Sequence, residues 1–216
     1  MQERFSNQEG WKESWGMLYG PIEKIVNVGQ LLQRLDREGK IGKVVLDVGS
    51  GAKPVSNFLS SQHQFITVDY GGKLEQTDAN KLHIQSDIES LANAGSFAQN
   101  KAITKGAQFL NIDSRRTNRE TIDCIIFSEI LNYIDFRKII LQYSRFQPIG
   151  GRIVIYNQPN RGLPEFFSER GVKGNSSLVE FLTECGYEIE ILHYPNDFEE
   201  KNKEMVLIVA RKIEQK

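Results

Sequence analysis

The sequence predicts an α/β protein, a three-layer sandwich of about seven strands in a mostly parallel sheet that ends in an antiparallel hairpin. Three observations predict it. Short apolar runs recur along the chain with helical or irregular stretches between them, the alternation expected of parallel strands joined by crossovers. One such run, Lys43-Val44-Val45-Leu46-Asp47-Val48, passes directly into a glycine turn at Gly49-Ser50-Gly51. The last two runs are joined by a link too short to hold a crossover helix.

Taken in order, Ile22, Ile25, Val26, Leu32 and Leu35 recur at near-helical spacing, and Gly39 stands where a helix would stop. This predicts a helix over 22–35 that leads into the sheet. The run closed by Gly49 is continuous and rich in β-branched residues, as a strand buried on both faces should be. Further strands are expected at Gln64–Asp69, Lys81–Gln85, Ile122–Phe127 and Arg152–Asn157, the last following the turn Pro148-Ile149-Gly150-Gly151, with a helix around Ser177–Cys185 after it. Tyr187–His193 and Met205–Ala210 are separated only by a polar loop with Pro195, Asn196 and Asp197. They are expected to pair antiparallel at one sheet edge.

Residues 1–40 read as an N-terminal helical segment that could cover a site, and 41–216 as the core domain. Residues 92–120 form an insertion within that core, longer than an ordinary connection and locally basic through Lys101, Lys105, Arg115, Arg116 and Arg119. It is either a lid or a solvated excursion, since charge runs usually face water.

Composition narrows the partners. The 27 Lys and Arg nearly balance the 28 Asp and Glu, so no general attraction to nucleic acid or an anionic membrane is expected. No segment approaches the roughly 20 apolar residues of a membrane helix, and the first thirty residues lack the pattern of a secretory signal. A soluble cytoplasmic protein is the expectation. Cys124 and Cys185 each lie in an apolar stretch, which suits reduced, buried thiols, and no Cys or His cluster supports a metal site. His63, His83 and His193 read as structural, His63 at the end of the sheet opposite the glycine turn.

The chemistry gathers where strands end. Glycines after the first strand permit a tight turn and a close approach by a ligand, and Pro54 suits the first turn of a following helix. Asp69 ends the second strand about 20 residues beyond Gly49, where a carboxylate can accept hydrogen bonds from ribose hydroxyls. Both lie at carboxyl ends of neighbouring parallel strands, the usual ligand side of an open α/β sheet.

At these residues the sequence resembles the class I S-adenosylmethionine-dependent methyltransferases, over roughly Val44 to Ala210, and so implies a Rossmann-like sheet. Leu46-Asp47-Val48-Gly49-Ser50-Gly51 is similar to their first motif, Val68-Asp69 to their ribose acidic position, and Ser86-Asp87-Ile88-Glu89 to the segment beside the adenine. Ile122 to Ile134 resembles the fourth-strand motif beside the transferable methyl group, and Gln147-Pro148-Ile149-Gly150-Gly151-Arg152 the turn before the fifth strand. Two departures stand out: the first motif lacks a third glycine, and Asn132-Tyr133 stands where many small-molecule members carry a histidine.

The resemblance implies a cofactor site of Asp47, Gly49, Ser50, Gly51, Asp69, Tyr70, Asp87, Ile88 and Ser128, with Tyr19 of the aromatic run Trp11–Gly20 lying against the methionine portion or merely packing. Asp47 either anchors the cofactor's ammonium or caps backbone groups at the strand end. Glu129 and Tyr133 are the catalytic candidates, although Glu129 would also serve as a helix cap. Ser128, Asn132, Tyr156 and Asn157 lie near enough to touch an acceptor or act as scaffold. The implied reaction is methyl transfer from S-adenosylmethionine to a small-molecule nitrogen, oxygen or carbon nucleophile. Two alternatives remain open: a nicotinamide-dependent oxidoreductase, which shares the glycine turn and the acidic residue, and a non-catalytic S-adenosylmethionine-binding protein.

Overall fold

The computed structural model describes residues 28–50, 54–69, 80–85, 88, 122–157, 167–193 and 206–214. Within them seven strands form one sheet: β1 (Val44–Val48), β2 (Gln64–Asp69), β3 (Lys81–Gln85), β4 (Cys124–Ser128), β5 (Arg152–Asn157), β6 (Tyr187–His193) and β7 (Val206–Lys212), in the order β3-β2-β1-β4-β5-β7-β6. The first five are parallel, whereas β7 runs antiparallel to both β5 and β6. The last two strands pair as their short link requires, and β7 lodges inside the sheet so that β6 forms the edge.

Alternation along each strand divides the core into two apolar layers. Val45, Phe65, Cys124, Ile126, Val154 and Val209 face α1 (Gln30–Arg37), which contributes Leu31, Leu32 and Leu35. Leu46, Ile66, Ile125, Phe127, Ile153 and Ile208 face the opposite layer, where α2 (Phe136–Ser144) brings Ile139, Ile140 and Tyr143, and α3 (Asn175–Glu184) brings Leu178, Phe181 and Leu182. Each such aliphatic side chain removed from water contributes about 1.5–3 kcal/mol. The result is the expected three-layer sandwich.

Local chemistry ends the helices where the sequence signals it. Past Arg37 the Gly39 N–H reaches the Asp36 carbonyl at 2.9 Å and the Lys40 N–H the Leu35 carbonyl at 2.8 Å, the paired bonds of a Schellman turn, with Gly39 at φ 67° in the left-handed position that turn requires. Asp135 caps α2 by accepting from the Lys138 N–H at 3.2 Å. Of the expected helix over 22–35, residues before 28 lie outside the described residues, as does most of the N-terminal 1–40 segment and all of the 92–120 insertion.

One expectation needs correction. The turn after β1 leads not into an α-helix but into a single 3₁₀ turn, Val55–Phe58, and Pro54 stands in extended geometry (ψ 147°) just before it rather than in its first turn. β-Branched Val55, followed by Ser56 and Asn57, is a poor helix nucleus. The chain re-enters the sheet at Gln64, leaving little length for propagation.

The buried His63 lies at the amino end of β2, away from the glycine turn, as expected. Its ring nitrogens approach the Gly42 carbonyl at 2.6 Å and an Asp36 carboxylate oxygen at 2.8 Å, and the other Asp36 oxygen accepts from the Ser60 N–H at 3.3 Å. One buried ring thereby joins the end of α1 to the entries of β1 and β2. His83 meets the Thr67 hydroxyl at 2.9 Å across β2 and β3. Cys124 and Cys185 are buried free thiols; burial pushes Cys124 up to about 12, which leaves it inert as a nucleophile.

Burial of Asp36 acts to raise its carboxyl, but hydrogen bonds from His63 and the Ser60 backbone, with the His63 charge, outweigh it and hold the group below its ordinary value of 3.8. As pH falls, the unfolded chain therefore takes up this proton before the folded one does. The stability Asp36 contributes is complete above its ordinary value and disappears as pH drops through the lower folded value. Urea denaturation between about pH 5 and about pH 3 should show the midpoint falling in wild type and a shallower fall in Asp36→Asn. Equal slopes would assign the acid sensitivity to other carboxylates.

Candidate functional site

The sheet order sets the location. From β1 the chain moves outward to β2 and β3, then returns to place β4 and β5 on the other side of β1. The carboxyl ends of β1 and β4 thus flank the point where strand order reverses, the crevice in which open α/β sheets bind ligands.

Register fixes what meets there. Val48 is level with Val68 of β2 and with Phe127 of β4, so the chain leaves the sheet at Gly49 between the ends of β2, at Asp69, and of β4, at Ser128. Gly49 donates its N–H to the Val68 carbonyl at 2.8 Å and turns at φ 74°. A Cβ built there would come within 2.7 Å of Ile130, which follows β4 and presses directly onto the turn. Here the need for glycine is steric as well as conformational.

Asp47 is 1% exposed, and one of its carboxylate oxygens accepts from the Val55 N–H at 2.8 Å. The carboxylate thus ties the returning chain to β1, the capping alternative read from sequence. Ser50 is also buried. Ser128 is 3% exposed, yet its hydroxyl has no hydrogen-bond partner among the described residues. Such a group is rare in a folded protein and calls for an unseen partner. Ile88 is buried in the layer beneath α2, its carbonyl accepting from the Tyr143 hydroxyl at 3.3 Å. Tyr19, Gly51, Tyr70 and Asp87 lie outside the described residues.

Beyond β4 the chain turns sharply. Glu129 is the sole non-glycine at positive φ among the described residues, at φ 59°, a conformation that costs about 1–2 kcal/mol for a side chain of this kind. Its N–H donates to the Tyr156 carbonyl of β5 at 2.8 Å, and the residue is buried. Tyr133 is likewise buried, its ring edge-on to Phe167 with centroids 5.3 Å apart. The sequence-derived pair Glu129 and Tyr133 therefore share one loop at the carboxyl end of the sheet.

The segment 167–172 fastens that loop, and here sequence reasoning fell short. Ser168 and Val172 donate backbone N–H groups to the Asn132 and Leu131 carbonyls, each at 3.0 Å. A Cβ at Gly171 would collide with the Asn132 carbonyl. Arg170 reaches the α2 cap Asp135 at 3.2 Å. Asn157, at the end of β5, donates its side-chain amide to the Asn132 side-chain oxygen at 3.2 Å. The only signal in the sequence was an isolated glycine, which does not reveal its neighbour.

Seven strands in this order, with the central turn beneath Ile130, can be set beside known proteins. No protein-family model matches the sequence, and comparison with curated proteins returns no match. Solved structures do match. The chain has the fold of the S-adenosylmethionine-dependent methyltransferases. It aligns over 98% of its length with 95% of magnesium protoporphyrin IX methyltransferase from Synechocystis, solved with S-adenosylmethionine, at a TM-score of 0.60 and 12% identity. For the N-methyltransferase NodS from Bradyrhizobium japonicum, solved with S-adenosylhomocysteine, the values are 99%, 96%, 0.58 and 14%. Against the CurJ carbon methyltransferase the chain spans only 50% of the solved chain, at a TM-score of 0.54 and 16% identity. No helix among the described residues is long and apolar enough to cross a membrane.

The Gly49–Ile130 contact makes a direct prediction. Gly49→Ala should lower stability by about 2–4 kcal/mol, from the left-handed backbone together with overpacking. Chemical denaturation of the two single variants and Gly49→Ala/Ile130→Ala should show the double variant losing less than the sum of its parts. Strict additivity would mean that Ile130 does not set the cost.

Proposed function

We propose that this chain is an S-adenosylmethionine-dependent methyltransferase that methylates a small-molecule acceptor. The observation that carries the reading is the register that sets Gly49 between Asp69 and Ser128 at the reversal of strand order, in a sheet with the methyltransferase fold. The residues fit a nucleoside-bearing cofactor: the Gly49 turn allows close approach, a carboxylate stands one strand away for ribose hydroxyls, and the buried Ser128 hydroxyl has no hydrogen-bond partner among the described residues.

In this reading Asp69 binds the ribose, Gly49, Ser50 and Gly51 shape the turn against the cofactor, and Asp47 acts on the methionine ammonium directly or through water. Asp87 and Ile88 are assigned to the adenine, Tyr19 to the methionine portion and Tyr70 to the cofactor site. Bound S-adenosylmethionine supplies a methyl group made electrophilic by its sulfonium. The chain's own task is alignment, which can lower a barrier by about 7–11 kcal/mol when two reactants are held in attacking geometry. The tightly packed Ile130, Leu131 and Tyr133 exclude water from the end of β4. Glu129, held by its strained backbone beside β5, takes the proton when the acceptor must lose one to react, and Tyr133 orients the acceptor. The acceptor is a nitrogen, oxygen or carbon nucleophile, and the protein works in the cytoplasm without nucleic acid.

The nicotinamide reading loses support from the segment after β1. A dinucleotide places its pyrophosphate at the start of a helix following the glycine turn, whereas the described chain there forms only the short 3₁₀ turn Val55–Phe58.

Calorimetry tests the proposal. S-adenosylmethionine and S-adenosylhomocysteine should bind wild type, a nicotinamide dinucleotide should not, and Asp69→Ala should weaken both adenosyl ligands at least about tenfold by removing a charged hydrogen bond. Binding of the dinucleotide alone would overturn the proposal.

A further inference from the structure

At the end of β5, beside the Glu129 loop, stands a buried polar side chain that is only half satisfied among the described residues. Asn157 is fully buried, at 0% exposure. Its amide nitrogen donates to the Asn132 side-chain oxygen at 3.2 Å, but its own carbonyl oxygen has no hydrogen-bond partner among the described residues. Asparagine is also a poor strand former. It nevertheless ends a β5 whose preceding four residues are all buried and apolar or aromatic, Ile153, Val154, Ile155 and Tyr156. An aliphatic residue would suit the strand, but it would also remove the donor to the buried Asn132 oxygen. A buried oxygen without a donor carries a cost, and a bound molecule that supplies the donor would offset it.

The position is suited to such a molecule. Ser128 pairs with Tyr156 in the β4–β5 register, and the Glu129 N–H bonds to the Tyr156 carbonyl, so Asn157 stands level with Glu129 on the next strand. Alternation puts its side chain on the face of Ile153 and Ile155, where Asn132 meets it. The backbone carbonyl of Asn132 accepts from the Ser168 N–H and lies against Gly171. The Asn157 amide is thus oriented by a hydrogen bond to a residue whose main chain is anchored, as suits a group that discriminates between ligands.

We propose that Asn157 is a specificity determinant for the methyl acceptor: its side-chain oxygen accepts a hydrogen bond from an N–H or O–H group of that molecule, with Asn132 as the positioning residue. The acceptor class is thus a small molecule that carries an amine, amide or hydroxyl donor. This rests on the methyltransferase reading above.

The test uses wild type, Asn157→Val and Asn157→Ala, S-adenosylhomocysteine as the calorimetric probe, and a methylation panel of amines, phenols, alcohols and hydrogen-bond-inert carbon nucleophiles. Valine suits a strand, and alanine removes the oxygen without risk of overpacking. Wild type should methylate donor-bearing compounds. In both variants KM for those compounds should rise at least about tenfold, the loss expected for one well-placed hydrogen bond, with S-adenosylhomocysteine affinity within about twofold of wild type. Both substitutions also remove the donor to the Asn132 oxygen and so lower the thermal unfolding temperature; the readout that a purely structural asparagine would not produce is the rise in KM for donor-bearing compounds at unchanged S-adenosylhomocysteine affinity. Failure of wild type to bind S-adenosylhomocysteine would overturn the methyltransferase reading itself. With that ligand bound, methylation of none of the donor-bearing compounds, or unchanged KM in the variant that folds, would overturn the role of Asn157 alone.

Discussion

The structure depends on one contact between two loops, the seating of Ile130 on Gly49. The first residue belongs to the turn out of β4 and the second to the turn out of β1. Because β1 and β4 are neighbours in register, the absent Cβ lets the two turns close on each other instead of splaying apart. Everything assembled at the carboxyl end of the sheet inherits its position from that closure. Asp69 and Ser128 flank the turn because the strands are in register, and Glu129 takes its left-handed backbone because the chain must pass from β4 over the glycine toward α2. A steric vacancy thus organises a set of polar groups.

Much of this architecture is legible in the sequence because buried parallel strands write themselves as short apolar runs. The bounds of β2, β3, β5 and β6 follow directly from Gln64–Asp69, Lys81–Gln85, Arg152–Asn157 and Tyr187–His193, since each run is bounded by polar or turn residues. β4 is displaced: Ile122 is apolar enough to read as strand, but the described strand begins at Cys124. Asp123 explains why, as its carboxylate accepts from the Lys43 and Val44 N–H groups at 2.7 and 2.8 Å and anchors the entry of β1. The segment after the glycine turn departs from the expected helix for a different reason. Pro54 is compatible with a first helical turn and with the extended residue before one, and only tertiary geometry separates the two.

The candidate site divides along the same line. Residues that act through local chain geometry, such as Gly49 and Asp69, announce themselves by type and spacing. Residues that act through a distant partner do not. Nothing near Asn157 in sequence indicates that Asn132 will hold its amide, and nothing near Gly171 indicates the carbonyl it must accommodate. Buried asparagines and a tightly packed glycine become informative only when the fold has brought separate segments together, and the cost they impose is visible only against the surrounding apolar core.

The placement of β7 between β5 and β6 has a consequence for how the chain is made. As synthesis proceeds, β6 emerges without its one neighbour, because it does not pair with β5 and β7 comes later. Until β7 is inserted, β5 presents an open edge and the apolar positions of β6 have no sheet to join. Such edges invite pairing with other chains. An interruption of translation between His193 and Val206 would therefore leave a nascent molecule whose parallel half is complete and whose exposed rim is adhesive, a species that cells would have to shield or destroy.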